Sequence, residues 1–248
     1  MVVPHKTLCY GDSQDPPEES IPMCTLRNFP NLMEHCIEWG RDHFNTMFTD
    51  RAQDALNFIE NPIAFLAGLR QNTTSSGAKT QLEEIGKILK LKQSANFSEC
   101  VQVARDNFDE HFDHKIRDLL AIFPKDHLDS HGQPFWSGPK RAPEPISFNA
   151  NDTTHLSFVM ACANLVAFNL GIPQNRDRIQ VQQIAASQQG KPYIKKTLKV
   201  ETPEEAKARE EAKLPPPKEE STPDDEDAVQ ALMAELTPLA TQVDKSTI

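Results

Sequence analysis

The chain has 248 residues, 38% hydrophobic and 7% aromatic, with a formal charge of -10. No apolar run approaches the ~20 residues of a membrane helix, and so acidic a chain lacks the basic surface that a nucleic-acid binder needs for phosphate. Cys9, Cys24, Cys36, Cys100 and Cys162 are scattered, odd in number and without a CxxC pair. Neither a disulfide framework nor a structural zinc site is expected, and a reducing compartment, cytosolic or nuclear, is the default.

Residues 1–22 carry four prolines and an acidic cluster with little apolar periodicity, and read as an extended connector. Pro22 removes a backbone donor and fixes its own φ, so Cys24 is not expected mid-strand or mid-helix. The spacing of Leu32, Cys36, Trp39, His43 and Met47 predicts a helix over 31–48 with one apolar stripe. Asn28 and Asn31 are N-cap candidates, with Glu34 completing a capping box after Asn31. A thiol beside that helix start, with Arg27 close by, is pushed toward thiolate by the dipole and the guanidinium. The bland alternative for a lone cysteine is core packing.

Shorter helices are predicted over 52–60, 62–70 and 80–92, with Asn61 capping the second ahead of Pro62 and a polar, mobile loop over 72–77. A long helix is expected from Ser98, as its cap, to Phe123, burying Phe108, Phe112 and Ile116 before Pro124 stops it. The proline-rich stretch 124–150 reads as an ordered loop anchored by Phe135, Trp136 and Phe148. Asp152 or Thr153 starts the next helix, Gly171 closes it, and another helix covers 175–187. Residues 193–200 alternate as one strand does. Residues 202–227 are too charged to order themselves, and 228–239 reads as a short docking helix. The fold class is therefore mainly α with little β, divided as a connector (1–22), a helical domain (23–190) and a C-terminal strand, charged segment and short helix (191–248).

Other constellations are weaker. His111 and His114, with Glu110 and Asp113, have a metal-compatible spacing, but the Phe108–Phe112–Ile116 stripe turns them toward solvent. His35 and His43 are possible partners for a protease-like Cys24, without a matching nucleophile motif. Cys36 and Cys162 fall at apolar helical positions and read as core. Phe135 and Trp136 beside Lys140 and Arg141 read as loop anchors rather than a nucleic-acid footprint. No phosphate-binding glycine motif occurs in the chain.

The segment Ser13-Gln14-Asp15-Pro16-Pro17-Glu18-Glu19-Ser20-Ile21-Pro22-Met23-Cys24-Thr25-Leu26-Arg27-Asn28-Phe29-Pro30 closely resembles the catalytic-cysteine region of ubiquitin-activating enzymes. Two later blocks resemble the same family in the same order: Pro134-Phe135-Trp136-Ser137-Gly138-Pro139-Lys140-Arg141-Ala142-Pro143, and His155-Leu156-Ser157-Phe158-Val159-Met160-Ala161-Cys162-Ala163-Asn164-Leu165. The resemblance implies the second catalytic cysteine domain, cut from its enzyme, with residues 1–22 as crossover connector, Met1 as an added start, and the adenylation domain elsewhere.

That resemblance implies a thioester-forming ligase of the ubiquitin conjugation pathway, cytoplasmic and nuclear, with Cys24 attacking a ubiquitin acyl-adenylate and then passing ubiquitin to a conjugating enzyme. Thr25 and Arg27 are supporting candidates for the oxyanion. Asn151 and Asp152 match polar residues that the family brings near its cysteine, although Asp152 is also a natural N-cap. ATP and Mg belong to the full-length enzyme, none is expected on this piece, and the piece alone should be inactive. The implied partners are ubiquitin or a ubiquitin-like protein, conjugating enzymes and the adenylation domain, with no nucleic acid and no membrane. The alternative is an acidic helical adaptor in which Cys24 is structural.

Overall fold

Helix accounts for nearly all regular structure among the described residues. Its computed structural model describes residues 23–94, 96–129, 131–138, 140–196 and 223–243, with isolated positions outside those ranges. Most of the expected connector, and most of the charged stretch 202–222, lie outside the described residues. Among the described residues there is no strand, only an isolated antiparallel bridge between Leu128 and Pro134. No helix among them is long and apolar enough to cross a membrane.

The chain order is α1 (Met23–Asn28), α2 (Met33–Phe44), α3 (Arg51–Glu60), α4 (Pro62–Asn72), α5 (Ser75–Ser94), α6 (Phe97–Asp109), α7 (Lys115–Ile122), α8 (Thr153–Asn169), α9 (Arg178–Ser187) and α10 (Pro223–Gln242). Wider π-type turns join α2 to α3 over Asn45–Asp50 and α6 to α7 over Glu110–His114. Such a turn takes in one extra residue and rotates everything after it by roughly 100° about the helix axis.

That rotation corrects the expectation for 110–114: Asp113 is buried rather than turned to solvent, and Glu110, His111 and His114 are half-buried. Asp118, further along, is buried as well. The predicted stripe on α2 also fails at its start. Leu32 is 53% exposed and Cys36 is exposed, so Cys36 is not core. Only Trp39, His43 and Met47 are half-buried.

Two cores carry the fold. In the first, α6, α8 and α9 bury Val101, Phe108, Val159, Cys162, Val166 and Val181. The caps are chemical. Asn96, not the expected Ser98, starts α6, accepting from Glu99 N while Glu99 accepts from Asn96 N, both at 3.2 Å. Gly171, at φ 66°, ends α8 as expected, with Ile172 N donating to Ala167 O at 2.8 Å.

The second core joins α3, α4, α5 and α10 around Phe58, Leu82, Ile85, Leu89, Val229 and Leu236. Asn61 accepts from Ala64 N at 3.0 Å ahead of Pro62, as expected. The loop expected over 72–77 shrinks to two residues between α4 and α5. The predicted short helix at 228–239 begins at Pro223 because Asp224, Asp225 and Glu226 sit in its first turn, where the dipole favours anions. Lys79 Nζ meets Asp225 at 3.1 Å, and Arg70 pairs with Glu226. Leu236 lies over Gly86, where a Cβ would be 3.0 Å from Leu236 Cδ2, so glycine lets the two helices approach closely. This last helix is thus a wall of the core rather than an appendage to it.

The strand expected over 193–200 is absent from residues 193–196, and 197–199 lie outside the described residues. Instead of a backbone partner, Tyr193 and Lys196 use side-chain acceptors on α7 and on the π-type turn before it.

Candidate active site

Cys24 is the second residue of α1. Its backbone is helical, and its side chain lies outside the described residues. The expectation had Cys24 ahead of a helix starting at Asn31. Residues 23–28 form a helix of their own instead, and α2 starts at Met33. The Asn31–Glu34 capping box is not used. The His35 ring takes that role, its Nδ1 accepting from Asn31 N at 3.1 Å and from Leu32 N at 3.4 Å.

Six residues are too few to hold a helix in water, so packing must hold α1. Leu26 is 4% exposed and Phe29, just after the helix, is 5% exposed. Phe29 N donates to Thr25 O at 3.0 Å, closing the last turn. Thr25 is half-buried, while Arg27 is exposed at the C-terminal end, where the dipole favours a cation.

The Phe29 ring meets Phe135 at 5.8 Å and Trp136 at 6.0 Å. Phe135 stacks on Phe123 at 4.5 Å. Trp136 Nε1 donates to the carbonyls of Phe123 and Pro124, each at 3.0 Å. These bonds satisfy the indole while pinning the proline-rich loop to the end of α7. The seat of α1 is therefore built from α7 and that loop, with Lys140 Nζ 4.8 Å from the centre of the Phe135 ring.

A second cluster lies where α2 meets the α6–α7 junction. His43 stacks on Trp39 at 5.0 Å and approaches His111 at 4.4 Å. His111 Nδ1 donates to Asn107 O at 3.0 Å, which leaves Nε2 to accept from Lys115 Nζ at 3.1 Å. Burial, with Lys115 and His43 as positive neighbours, pushes His111 down to about 3. Burial lowers His43 against the pull of its Asn107 hydrogen bond. Lys115 is lowered by partial desolvation of its ammonium, opposed by Glu110, with Arg27 of α1 adding to the lowering. His35 and His43 are thus occupied, by a helix start and by an aromatic stack. Among the described residues no group of three or more His, Cys, Asp or Glu forms a metal site.

Asn151 and Asp152 sit together at the start of α8. Asp152 accepts from Thr154 N at 2.8 Å and His155 N at 3.1 Å, holding its carboxyl below the usual range. Asn151 accepts from Gln182 Nε2 of α9 at 3.0 Å. Both side chains thus serve local structure. Sequence reasoning did not single out Phe29, Lys115 or Asp118. The available signal for Phe29 was its place as an aromatic between two helix-forming stretches, directly before Pro30. A groove of about 460 Å³ lies between the π-type turn before α3 and α5, lined by Asp50, Arg51, Asp54 and Glu84 among others, and takes no residue from α1 or α8.

Residues 30–248 match the SCCH domain of ubiquitin-activating enzyme. The chain is 41% identical over 213 residues to ubiquitin-activating enzyme E1 1 of Schizosaccharomyces pombe, covering 86% of the chain and 21% of that protein. It is 40% identical over 206 residues to ubiquitin-like modifier-activating enzyme 1 of Dictyostelium discoideum, covering 82% and 20%. The protein of that name from Homo sapiens is 41% identical over 181 residues, covering 73% of the chain and 17% of the relative. The chain thus spans about a fifth of the length of these relatives.

Proposed function

This chain belongs to the ubiquitin-activating enzyme family, as its second catalytic cysteine domain, and on that premise we propose that Cys24 is the thioester-forming nucleophile. Its thiolate attacks the acyl carbon of a ubiquitin adenylate. The acyl–phosphate C–O bond breaks and AMP leaves with the electron pair. A conjugating enzyme's thiolate then attacks the same carbon, and Cys24 leaves as thiolate. A sulfur nucleophile suits both steps because it attacks well and leaves well.

The observation that carries this reading is the 30–248 family match beginning six residues after a cysteine whose helix has its own aromatic seat. Thr25 and Arg27, one and three residues beyond Cys24 on α1, are proposed to supply a hydrogen bond and positive potential to the developing oxyanion. Asn151 and Asp152 are proposed to act at the same step from the start of α8. ATP and Mg²⁺ are assigned to the part of the enzyme outside this chain, as is recognition of the modifier. The partners proposed are ubiquitin or a ubiquitin-like protein, conjugating enzymes and the adenylation domain, in the cytoplasm and nucleus.

The test is to place this domain in a full-length enzyme and assay ubiquitin thioester on a non-reducing gel, with Cys24 intact or changed to Ala. A thiol-sensitive band present with Cys24 and lost with Cys24→Ala is the expected result. A band that survives the substitution, in enzyme that still forms adenylate, returns Cys24 to a structural role.

A further inference from the structure

The segment 188–196 after α9 has no regular structure, yet it is fastened along α6 and α7. Gln102 Nε2 donates to Gln189 O at 3.0 Å, and Lys191 Nζ meets Asp106 at 2.9 Å. Further on, the Tyr193 hydroxyl donates to Asp118 Oδ1 at 2.8 Å, and Lys196 N donates to the same oxygen at 3.1 Å. Lys196 Nζ also meets Glu110 at 2.9 Å, and Arg117 lies over the Tyr193 ring. Asp118 is only 3% exposed. A carboxylate this buried is costly unless bonded, and both bonds to it come from the strap.

The position of Asp118 gives the latch its significance. It directly precedes Leu119, which shares one buried cluster with Phe29, Phe123 and Phe135. Val200, four residues beyond Lys196, packs against that same cluster. Val200 therefore closes one side of the seat that holds α1, and it lies four residues along the chain from the Lys196 bond to Asp118.

We propose that Asp118 is a positioning residue for the helix that carries Cys24: by binding Tyr193 and Lys196 it keeps Val200 in the Phe29 seat, so that strap and cysteine helix are held as one unit. Its meaning for thioester formation rests on the catalytic reading of Cys24, whereas its structural content does not. α1 is too short to stand alone, so loosening one wall of its seat should show first in α1.

Hydrogen exchange read by mass spectrometry on this chain tests the inference. Asp118→Ala should speed exchange about tenfold in 23–29 and in 191–196, the change expected from losing a hydrogen bond to a charged group, and leave α5 unchanged. Asp118→Asn, which keeps an acceptor oxygen, should restore most of the protection. Faster exchange in 191–196 with 23–29 unchanged would overturn the proposal. If Asp118→Ala loosens α5 as well, Tyr193→Phe decides, since it removes only the hydroxyl: faster exchange in 23–29 supports the latch and unchanged exchange there rejects it. In full-length enzyme, Asp118→Ala should slow thioester formation about tenfold with ATP–pyrophosphate exchange unchanged. A Cys24 that is not the nucleophile removes only this catalytic effect and leaves the exchange result standing.

Discussion

Phe29 packs edge-on against Phe123, with ring centroids 5.9 Å apart and planes inclined by 64°. The contact spans 94 residues of sequence and joins the cysteine-bearing α1 to the end of α7. Edge-to-face pairs add to the apolar area they bury, and this one ties α1 to α7 beside the burial of Leu26. The first prediction follows directly. Phe29→Ala should cost about 3 kcal/mol of local stability, releasing α1 while both main cores persist. Trypsin cleavage after the exposed Arg27 should then accelerate about a hundredfold through local opening, and Phe29→Leu should stay near wild type. Equal cleavage rates in all three proteins would show that α1 does not depend on this ring.

The histidine cluster sets a pH response. Folded, His111 stays neutral down to about pH 3, while its ordinary value is 6.5. Between those values the unfolded chain binds a proton that the folded chain refuses, so stability falls as pH drops below 6.5 and is unaffected above it. At pH 5.5 this one group should cost about 1 kcal/mol, and His43, lowered for the same reason, acts in the same direction. Urea midpoints measured from pH 7 to 5.5 should fall in the wild type and fall less in His111→Gln. Parallel pH profiles would reject the assignment.

Three cysteines should sort by burial. Burial pushes Cys100 up to about 11 and Cys162 to about 12, and both are buried in the first core. Cys36 is exposed on α2. Iodoacetamide at pH 8 should therefore label Cys36 and leave Cys100 and Cys162 untouched in the folded chain, since fewer than about one in a hundred of those thiols is ionised. Peptide mass spectrometry reads this directly, and labelling of Cys162 before unfolding would contradict the packing of α8.

Asp152 separates a cap from a catalytic contributor. Asp152→Ala should lower stability through loss of the α8 cap, and Asp152→Asn should restore it because asparagine caps as well. The proposed role at the thioester step predicts a slower transfer in the Asn variant at unchanged stability. Matching rates in wild type and the Asn variant would leave Asp152 as a cap alone.

Much of this molecule was legible in the residues, for identifiable reasons. Asn61 before Pro62, Asp152 before an apolar run and Gly171 before Pro173 are local signals that each set a helix end, whereas the equally local Asn31–Glu34 pair and Ser98 lose to His35 and Asn96. Mainly helical structure and an ordered loop around Phe135 and Trp136 followed from periodicity and from prolines flanking aromatics. The π-type turns were not legible, because one extra residue in a turn leaves no mark on composition yet redirects Asp113 and Asp118 inward. The strand expected over 193–200 fails at 193–196, because Tyr193 and Lys196, three residues apart, bond to the buried Asp118 carboxylate and not to a neighbouring backbone. At the site, Cys24 stands out by its flanking motif. Its seat does not, since Phe29, Phe123, Phe135 and Val200 meet only in three dimensions.

The pairing of α5 with α10 has a consequence during synthesis. Residues 75–94 leave the ribosome more than a hundred residues before the helix that covers Leu82, Ile85 and Leu89. For that interval an apolar face is bare while the first core is already able to assemble, which exposes a partly folded chain to self-association. Closing so long a loop is also slow. A nascent chain halted before residue 223 should therefore recruit holding chaperones, and one that extends past 243 should release them.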